Sequence, residues 1–338
     1  MMDFFLKPFL ISFLVSAAVL LVFLSIVHLS SWLQKRKQQW FRFGGIAIVL
    51  GFLTAFFADG RIVMSLPLVG LLLGMVIIVG FGIWDDLFEL SWKSQIFFQS
   101  ILAVLIFLFG VRVLFITNPF GGVIAFPPEL SVLIGFLIGL FWLLLLMNAL
   151  NWLDGSDGLC GGVSLIALLT IFFLALKPEV NQPAFAIIAA SGAGAVSGFL
   201  LFNLPPARIF AGTTGSMFLG FLLAFLATAA GTKIATALLF LVLPIADAFY
   251  VILERLWSGK SVFQGDQRHL HHKLKRLGWS NGRITFALLS FTGIVALLAL
   301  ETRAESKFFA LAGVFLVAFL LSVVVAKRSD QVSNLSNS

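Results

Sequence analysis

The sequence predicts an all-α integral membrane protein, one bundle of about eleven transmembrane helices, and two observations predict it. Of 338 residues, 60% are hydrophobic and 11% charged, whereas a soluble domain is about half apolar and about a quarter charged. The apolar residues, 39 Phe among them, come in runs of about 20 rather than in alternation, which points to helices in a bilayer and away from a β-barrel. The lone Cys160 excludes an intramolecular disulfide.

Eleven apolar segments follow in order: 5–27, 44–58, 66–84, 96–116, 130–148, 162–176, 183–202, 215–231, 234–252, 285–301 and 308–326. The first reads as a retained helix rather than a signal peptide, because its apolar run is long and its start barely basic. Gly70, Gly74 and the Gly192 to Gly198 stretch read as packing positions that let helices approach closely. No inverted repeat of the transporter kind is visible. Residues 1–328 form a single transmembrane domain in this reading, and the polar 329–338 segment is expected to be a disordered tail.

Lys and Arg orient the chain. With the N-terminus extracytoplasmic and the C-terminus cytoplasmic, 15 of the 22 basic residues fall on the inside, as the positive-inside rule requires. The inside loops are then 34–43, 85–95, 148–161, 203–214 and 253–284, and they hold nearly all the reactive side chains. Such one-sided concentration suggests a cytoplasmic site at the membrane surface.

Three clusters stand out there. Asp85 and Asp86 end an apolar segment, where two like charges meet the negative end of a helix dipole and need something cationic. Taken alone the pair reads as a solvated helix end near Lys93. Asp154 and Asp157, in a Gly-rich turn one turn beyond Asn148 and Asn151, would share a face if helical. Four carboxylates on one side of the membrane suit a hard divalent cation completed by phosphate oxygens. The third cluster, Arg268-His269-Leu270-His271-His272, is followed by Lys273, Lys275 and Arg276. His269 and His272 would share a helix face. Zinc lacks its usual Cys partners here, so phosphate contact or attraction to anionic lipid is the better reading.

Together these loops resemble the polyprenyl-phosphate N-acetylhexosamine-1-phosphate transferase family. The resemblance is carried by Trp84-Asp85-Asp86-Leu87-Phe88-Glu89-Leu90, by Asn148-Ala149-Leu150-Asn151-Trp152-Leu153-Asp154-Gly155-Ser156-Asp157-Gly158-Leu159, and by Asn203 to Phe210 leading into Gly212-Thr213-Thr214-Gly215-Ser216. Pro244-Ile245-Ala246-Asp247 and the His-x-His-His run of 269–272 complete the series over about residues 5–326. The chain is most similar to the bacterial branch that uses UDP-N-acetylhexosamine itself.

The resemblance implies transfer of N-acetylhexosamine 1-phosphate from the UDP-sugar to undecaprenyl phosphate, with release of UMP, at the inner face of the bacterial cytoplasmic membrane. It implies Mg²⁺ or Mn²⁺ held by Asp86, Asp154 and Thr213, with Asp85 orienting or deprotonating the lipid phosphate. His269, His271 and His272, with Lys93 and Arg268, would hold phosphate oxygens; Asn151, Asp157 and Asn203 would contact the nucleotide. Direct attack and a two-step route through an aspartyl phosphate are both open. Membrane lipid is an implied partner, a homodimer is plausible, and nothing calls for nucleic acid.

Three positions depart from the family pattern. Thr213 stands where the family has an aspartate, and a neutral hydroxyl is a weaker Mg²⁺ ligand. The segment Gln38 to Phe43 lacks the usual prolines, and Val262 replaces another. Two other classes compete: a non-catalytic protein that binds UDP-sugar or prenyl phosphate, which Thr213 favours, and a transporter. Against transport, Asp247 is the only acidic residue well within an expected span.

Overall fold

The structure is a computed structural model describing residues 2–30, 41–118, 122–229, 238–239, 241–259, 268–302 and 306–336. Among these residues the fold is all-helical apart from a small ribbon. Its helices are α1 (Met2–Leu29), α2 (Gly44–Ala58), α3 (Leu66–Phe88), α4 (Trp92–Leu108), α5 (Ser131–Leu153), α6 (Leu159–Ala175), α7 (Pro183–Asn203), α8 (Gly212–Ala229), α9 (Val242–Trp257), α10 (Leu270–Arg276), α11 (Asn281–Glu301) and α12 (Ser306–Ser336). Strands β1 (Phe115–Thr117) and β2 (Val123–Ala125) pair antiparallel, with Phe115 opposite Ala125.

Seven of these helices, α1, α3, α5, α7, α8, α11 and α12, are long and apolar enough to cross a membrane. Three more, α2, α4 and α6, are apolar but shorter. The expected segment 96–116 does not stay helical to its end: α4 stops at Leu108, Gly110 turns in the left-handed region, and the chain enters β1. Conversely, α3 and α5 run beyond their expected ends and carry Asp85, Asp86, Asn148 and Asn151 in helix rather than in loops. The tail expected to be disordered instead continues α12 to Ser336; it contains no proline or glycine to stop the helix. Residues 31–40, 230–237 and 260–267, which include part of two expected inside loops, Val262 and part of the expected spans 215–231 and 234–252, lie outside the described residues.

Helices α7 and α8 form the centre, with 83% of each buried, against 17% for α12 at the periphery. Around them α1, α2 and α6 pack on α7, while α2, α3, α5 and α6 pack on α8. The small residues of α7 explain its place. A Cβ at Gly194 would lie 2.1 Å from the Phe9 carbonyl oxygen, and one at Gly198 would lie 2.5 Å from that of Phe13, so α1 rests on the α7 backbone itself. Gly70 and Gly74 likewise receive the rings of Phe109 and Phe221. Packing is thus the role of these glycines, in keeping with the small-residue interfaces of membrane helices. Phe52, Phe199, Phe218, Phe221 and Phe225 fill the centre, whereas Phe57 and Phe286 face outward.

The polar end of the bundle is joined by backbone pairing. Phe210 N–H donates to the Phe41 carbonyl, and the Gly44 and Gly45 N–H groups donate to the Phe210 and Ala211 carbonyls. Gly45 and Gly215 meet so closely that a Cβ on Gly45 would sit 2.1 Å from the Gly215 nitrogen. The chain entering α2 is thereby fixed against the start of α8, where the reactive residues gather.

Candidate active site

The first four N–H groups of a helix have no partner within it, and its start carries partial positive charge. At the start of α8 these groups are taken by carboxylates from two other helix ends. Ala211 and Gly212 donate to Asp154 at 3.1 and 2.7 Å. Thr213 and Thr214 donate from their backbone nitrogens to Asp86 at 2.7 and 3.1 Å, and the Thr214 hydroxyl adds a third bond at 2.8 Å. The Thr213 hydroxyl donates to Asp85 Oδ2 at 2.5 Å. The positive charge demanded by the Asp85–Asp86 pair is therefore supplied in part by the α8 N-terminus.

Backbone shape makes the convergence possible. Gly212 has φ +68°, and a Cβ there would lie 2.7 Å from Asp86 Oδ1 and 2.1 Å from the Arg42 carbonyl oxygen, so only glycine fits. Asp85 is held from its other side by Leu90 N–H and Gln95 Nε2, each at 3.1 Å from Oδ1. Asp154 keeps some exposed surface, yet burial of its carboxyl among protein atoms pushes its pKa up to about 8, against the pull of the Gly212 and Ala211 N–H groups. The nearby charge of Asp86 adds to the rise, and that of Arg42 opposes it.

The other acidic residue of that turn goes elsewhere. Asp154 and Asp157 do not share a helical face, because α5 ends at Leu153 and the chain turns there. Asp157 Oδ2 accepts from Ala207 N–H at 3.2 Å and from Asn281 Nδ2 at 3.1 Å, bracing the 203–211 loop and α11. Asn203, 1% exposed, uses both ends of its amide on the chain, accepting from Gly158 N–H and donating to the Ile209 carbonyl. Asn151 accepts from Ser216 Oγ at 2.9 Å and Asn148 pairs with Gln99, so these amides lock α5 to α8 and α4. Lys93 is exposed at the start of α4, 5.7 Å from the centre of its own Trp92 ring, and Asp85 takes Leu90, Gln95 and Thr213 instead.

The histidines adjoin this centre. His269 is not on a helix face shared with His272; it caps α10 in extended conformation. Its ring stacks on Trp152, centroids 5.2 Å apart, two residues before Asp154. A Cβ on Gly155, the next residue after Asp154, would lie 3.5 Å from His271 Nε2 and 3.7 Å from His272 Nε2. Burial, then repulsion by His272, lowers the His271 pKa to about 3, and burial with the neighbouring cations lowers that of His272 as well. His271 Nε2 is buried without a hydrogen-bond partner, the condition of a group facing a place where something else binds. Arg268 directly precedes the cap.

Nothing in the sequence singles out Gln95, and Thr214 and Ser216 stand in a motif without a role of their own. The fold presents the three to Asp85, Asp86 and Asn151 respectively. Arg42 pairs with Glu89 at 2.9 Å across the rim, with both side chains well exposed.

The donor set suits a hard divalent cation. Asp86 and Asp154 flank Gly212 from two sides; Asp86 Oδ1 and both Asp154 oxygens each accept one N–H and keep a lone pair, while Asp86 Oδ2 accepts both the N–H and the hydroxyl of Thr214. Mg²⁺ takes one or two carboxylates and completes its shell with water and substrate phosphate. Among the described residues no three His, Cys, Asp or Glu side chains form a metal-holding group.

The profile of glycosyl transferase family 4 matches residues 68–231, which include both carboxylate clusters and the start of α8. The chain is 32% identical over 293 residues to a decaprenyl-phosphate N-acetylglucosaminephosphotransferase of Mycobacterium leprae, covering 77% of this chain and 73% of that one. It is 29% identical to a probable undecaprenyl-phosphate N-acetylglucosaminyl 1-phosphate transferase of Bacillus subtilis, covering 84% and 79% respectively. With an undecaprenyl-phosphate alpha-N-acetylglucosaminyl 1-phosphate transferase of Escherichia coli it shares 28% identity over 82% and 76%.

Proposed function

The chain belongs to glycosyl transferase family 4, among its polyprenyl-phosphate N-acetylglucosaminyl 1-phosphate transferases, and from that premise we propose that it transfers N-acetylhexosamine 1-phosphate from a UDP-sugar to undecaprenyl phosphate and releases UMP. The observation that carries the proposal is the meeting of Asp85, Asp86 and Asp154 at the α8 N-terminus, with the histidine cluster against the Asp154 turn.

Phosphoryl transfer requires in-line placement and neutralised charge more than covalent chemistry. An oxygen of the lipid phosphate attacks the sugar-bearing phosphorus, and the bond to the UMP phosphate breaks. Asp85, anchored by Leu90, Gln95 and Thr213, orients the attacking phosphate. His269, His271 and His272 border the phosphates, with Arg268 and Lys93 near the rim, while Asn151, Asp157 and Asn203 shape the nucleotide side by holding the surrounding loops. Asp86 and Asp154 would hold Mg²⁺ or Mn²⁺, with the Thr213 hydroxyl beside them, and the ion would supply the charge that neutralises the donor's two phosphates.

A polyprenyl phosphate cannot leave the bilayer and a UDP-sugar cannot enter it, so the two meet at the headgroup plane. That requirement and the positive-inside count support eleven spans, an extracytoplasmic N-terminus and an active site facing the cytoplasm at the inner membrane. The decisive experiment measures UMP release by detergent-solubilised protein given undecaprenyl phosphate and a panel of UDP-sugars, with and without Mg²⁺. No release from any sugar, by this chain or its Thr213→Asp variant, would sink the proposal.

A further inference from the structure

Asp247 has no part in the carboxylate centre, yet it is 5% exposed near the start of α9 and both its oxygens are engaged at one place. Oδ2 lies 2.9 Å from His269 Nδ1, and Oδ1 accepts the Leu270 N–H at 2.8 Å. The second bond ties the carboxylate to the first residue of α10, so it cannot rotate away from the ring. Trp152 stacks on the His269 ring at 26° between planes and fixes the remaining freedom, rotation about the axis through Nδ1. Lys273, 1% exposed, bonds Glu254 at 2.7 Å, about two turns beyond Asp247 along α9, which fastens α10 to α9 at a second point.

Burying a carboxylate inside the protein is expensive unless it is paired and hydrogen-bonded, as Asp247 is. A carboxylate has no proton to give, so His269 must present N–H at Nδ1. Nε2 is then the ring atom left to meet a substrate oxygen. We propose that Asp247 is the positioning residue for His269, fixing its tautomer and aiming Nε2 at a phosphate oxygen of the substrates. The proposal rests on the transferase reading for its substrate, but its geometry can be read without any substrate.

The test uses the full chain in detergent, labelled with ¹⁵N-histidine; the chain has 4 His, and a His269→Gln sample assigns the resonance of interest. In the native protein His269 carries its proton on Nδ1. In D247N, Asn Oδ1 can keep the Leu270 N–H while its amide donates to Nδ1, which moves the proton to Nε2. In D247N kcat for UMP release falls by roughly 10²- to 10⁴-fold, the scale of a wrong-tautomer substitution, with thermal midpoint little changed, and D247E recovers part of the rate with the native tautomer. An Nε2–H tautomer in the native protein overturns the proposal even if D247N fails to fold. So does a D247N protein that keeps the native tautomer or keeps kcat within threefold. Native protein without UMP release would overturn the transferase reading instead, since the tautomer is measured on the resting protein.

Discussion

The Thr213 hydroxyl lies 2.5 Å from Asp85 Oδ2 and donates its proton to it. A side chain at the position of a family aspartate thus binds a neighbouring carboxylate instead of repelling it. Replacing Thr213 by Asp removes that bond and adds a fourth acidic group beside Asp85, Asp86 and Asp154. In metal-free buffer Thr213→Asp is expected to lower the thermal midpoint, the loss being about 1–3 kcal/mol for one buried charge-assisted bond. With Mg²⁺ present the same variant should release UMP faster than the native chain. An unchanged rate would show that position 213 does not contribute to the metal site.

Gly212 is the second sensitive point. Its φ of +68° and the 2.7 Å approach of Asp86 leave no room for a methyl group. Gly212→Ala should destabilise the protein by about 1–3 kcal/mol through left-handed strain and displaced carboxylates. UMP release should fall with it. Retention of both the native melting temperature and the native rate would contradict the described geometry.

His271 gives a pH dependence with a definite sign. Its folded pKa, about 3, is below the ordinary 6.5, because burial opposes its charge. The unfolded chain therefore binds the extra proton first. This residue's contribution to stability is complete above pH 6.5 and is lost as pH falls toward 3, with a slope of up to about 1.4 kcal/mol per pH unit for one proton. Denaturant midpoints measured in this window should flatten in His271→Gln relative to the native chain. Equal slopes would exclude a buried neutral His271.

The proposed orientation can be read by labelling. Cys160 is fully buried, so the native chain should react little with a membrane-impermeant maleimide. Gly60 has open space around it and Arg276 is exposed at the end of α10. Gly60→Cys should be labelled from outside intact cells, and Arg276→Cys only after the membrane is opened. The reverse pattern would invert the orientation.

The exposed Arg42–Glu89 pair should matter little for stability. A pair of this kind contributes at most about 1 kcal/mol. Arg42→Ala is therefore expected to melt within a few degrees of the native chain while raising the KM for UDP-sugar, because it removes a cation whose field reaches Asp154. A large loss of stability with KM unchanged would make Arg42 a structural brace.

Much of this protein is written in its sequence for a simple reason. Bilayer thickness forces long apolar runs into helices, so composition and run length determined the all-helical membrane class, and the glycine stretch of α7 marked its own packing role. The motifs also named the carboxylates and histidines that would gather. What they could not contain is which groups each one meets. Period and spacing placed Asp154 and Asp157 on one face, but the end of α5 at Leu153 sends one carboxylate to the α8 N-terminus and the other to Ala207 and Asn281. Spacing likewise joined His269 to His272, whereas Asp247, 22 residues earlier, claims His269. The sequence determined the class, the cast of polar residues and the end of the bundle they share. Only the tertiary structure decided their partners, because hydrogen bonds between helix ends depend on how the helices cross and stop, which no local pattern encodes.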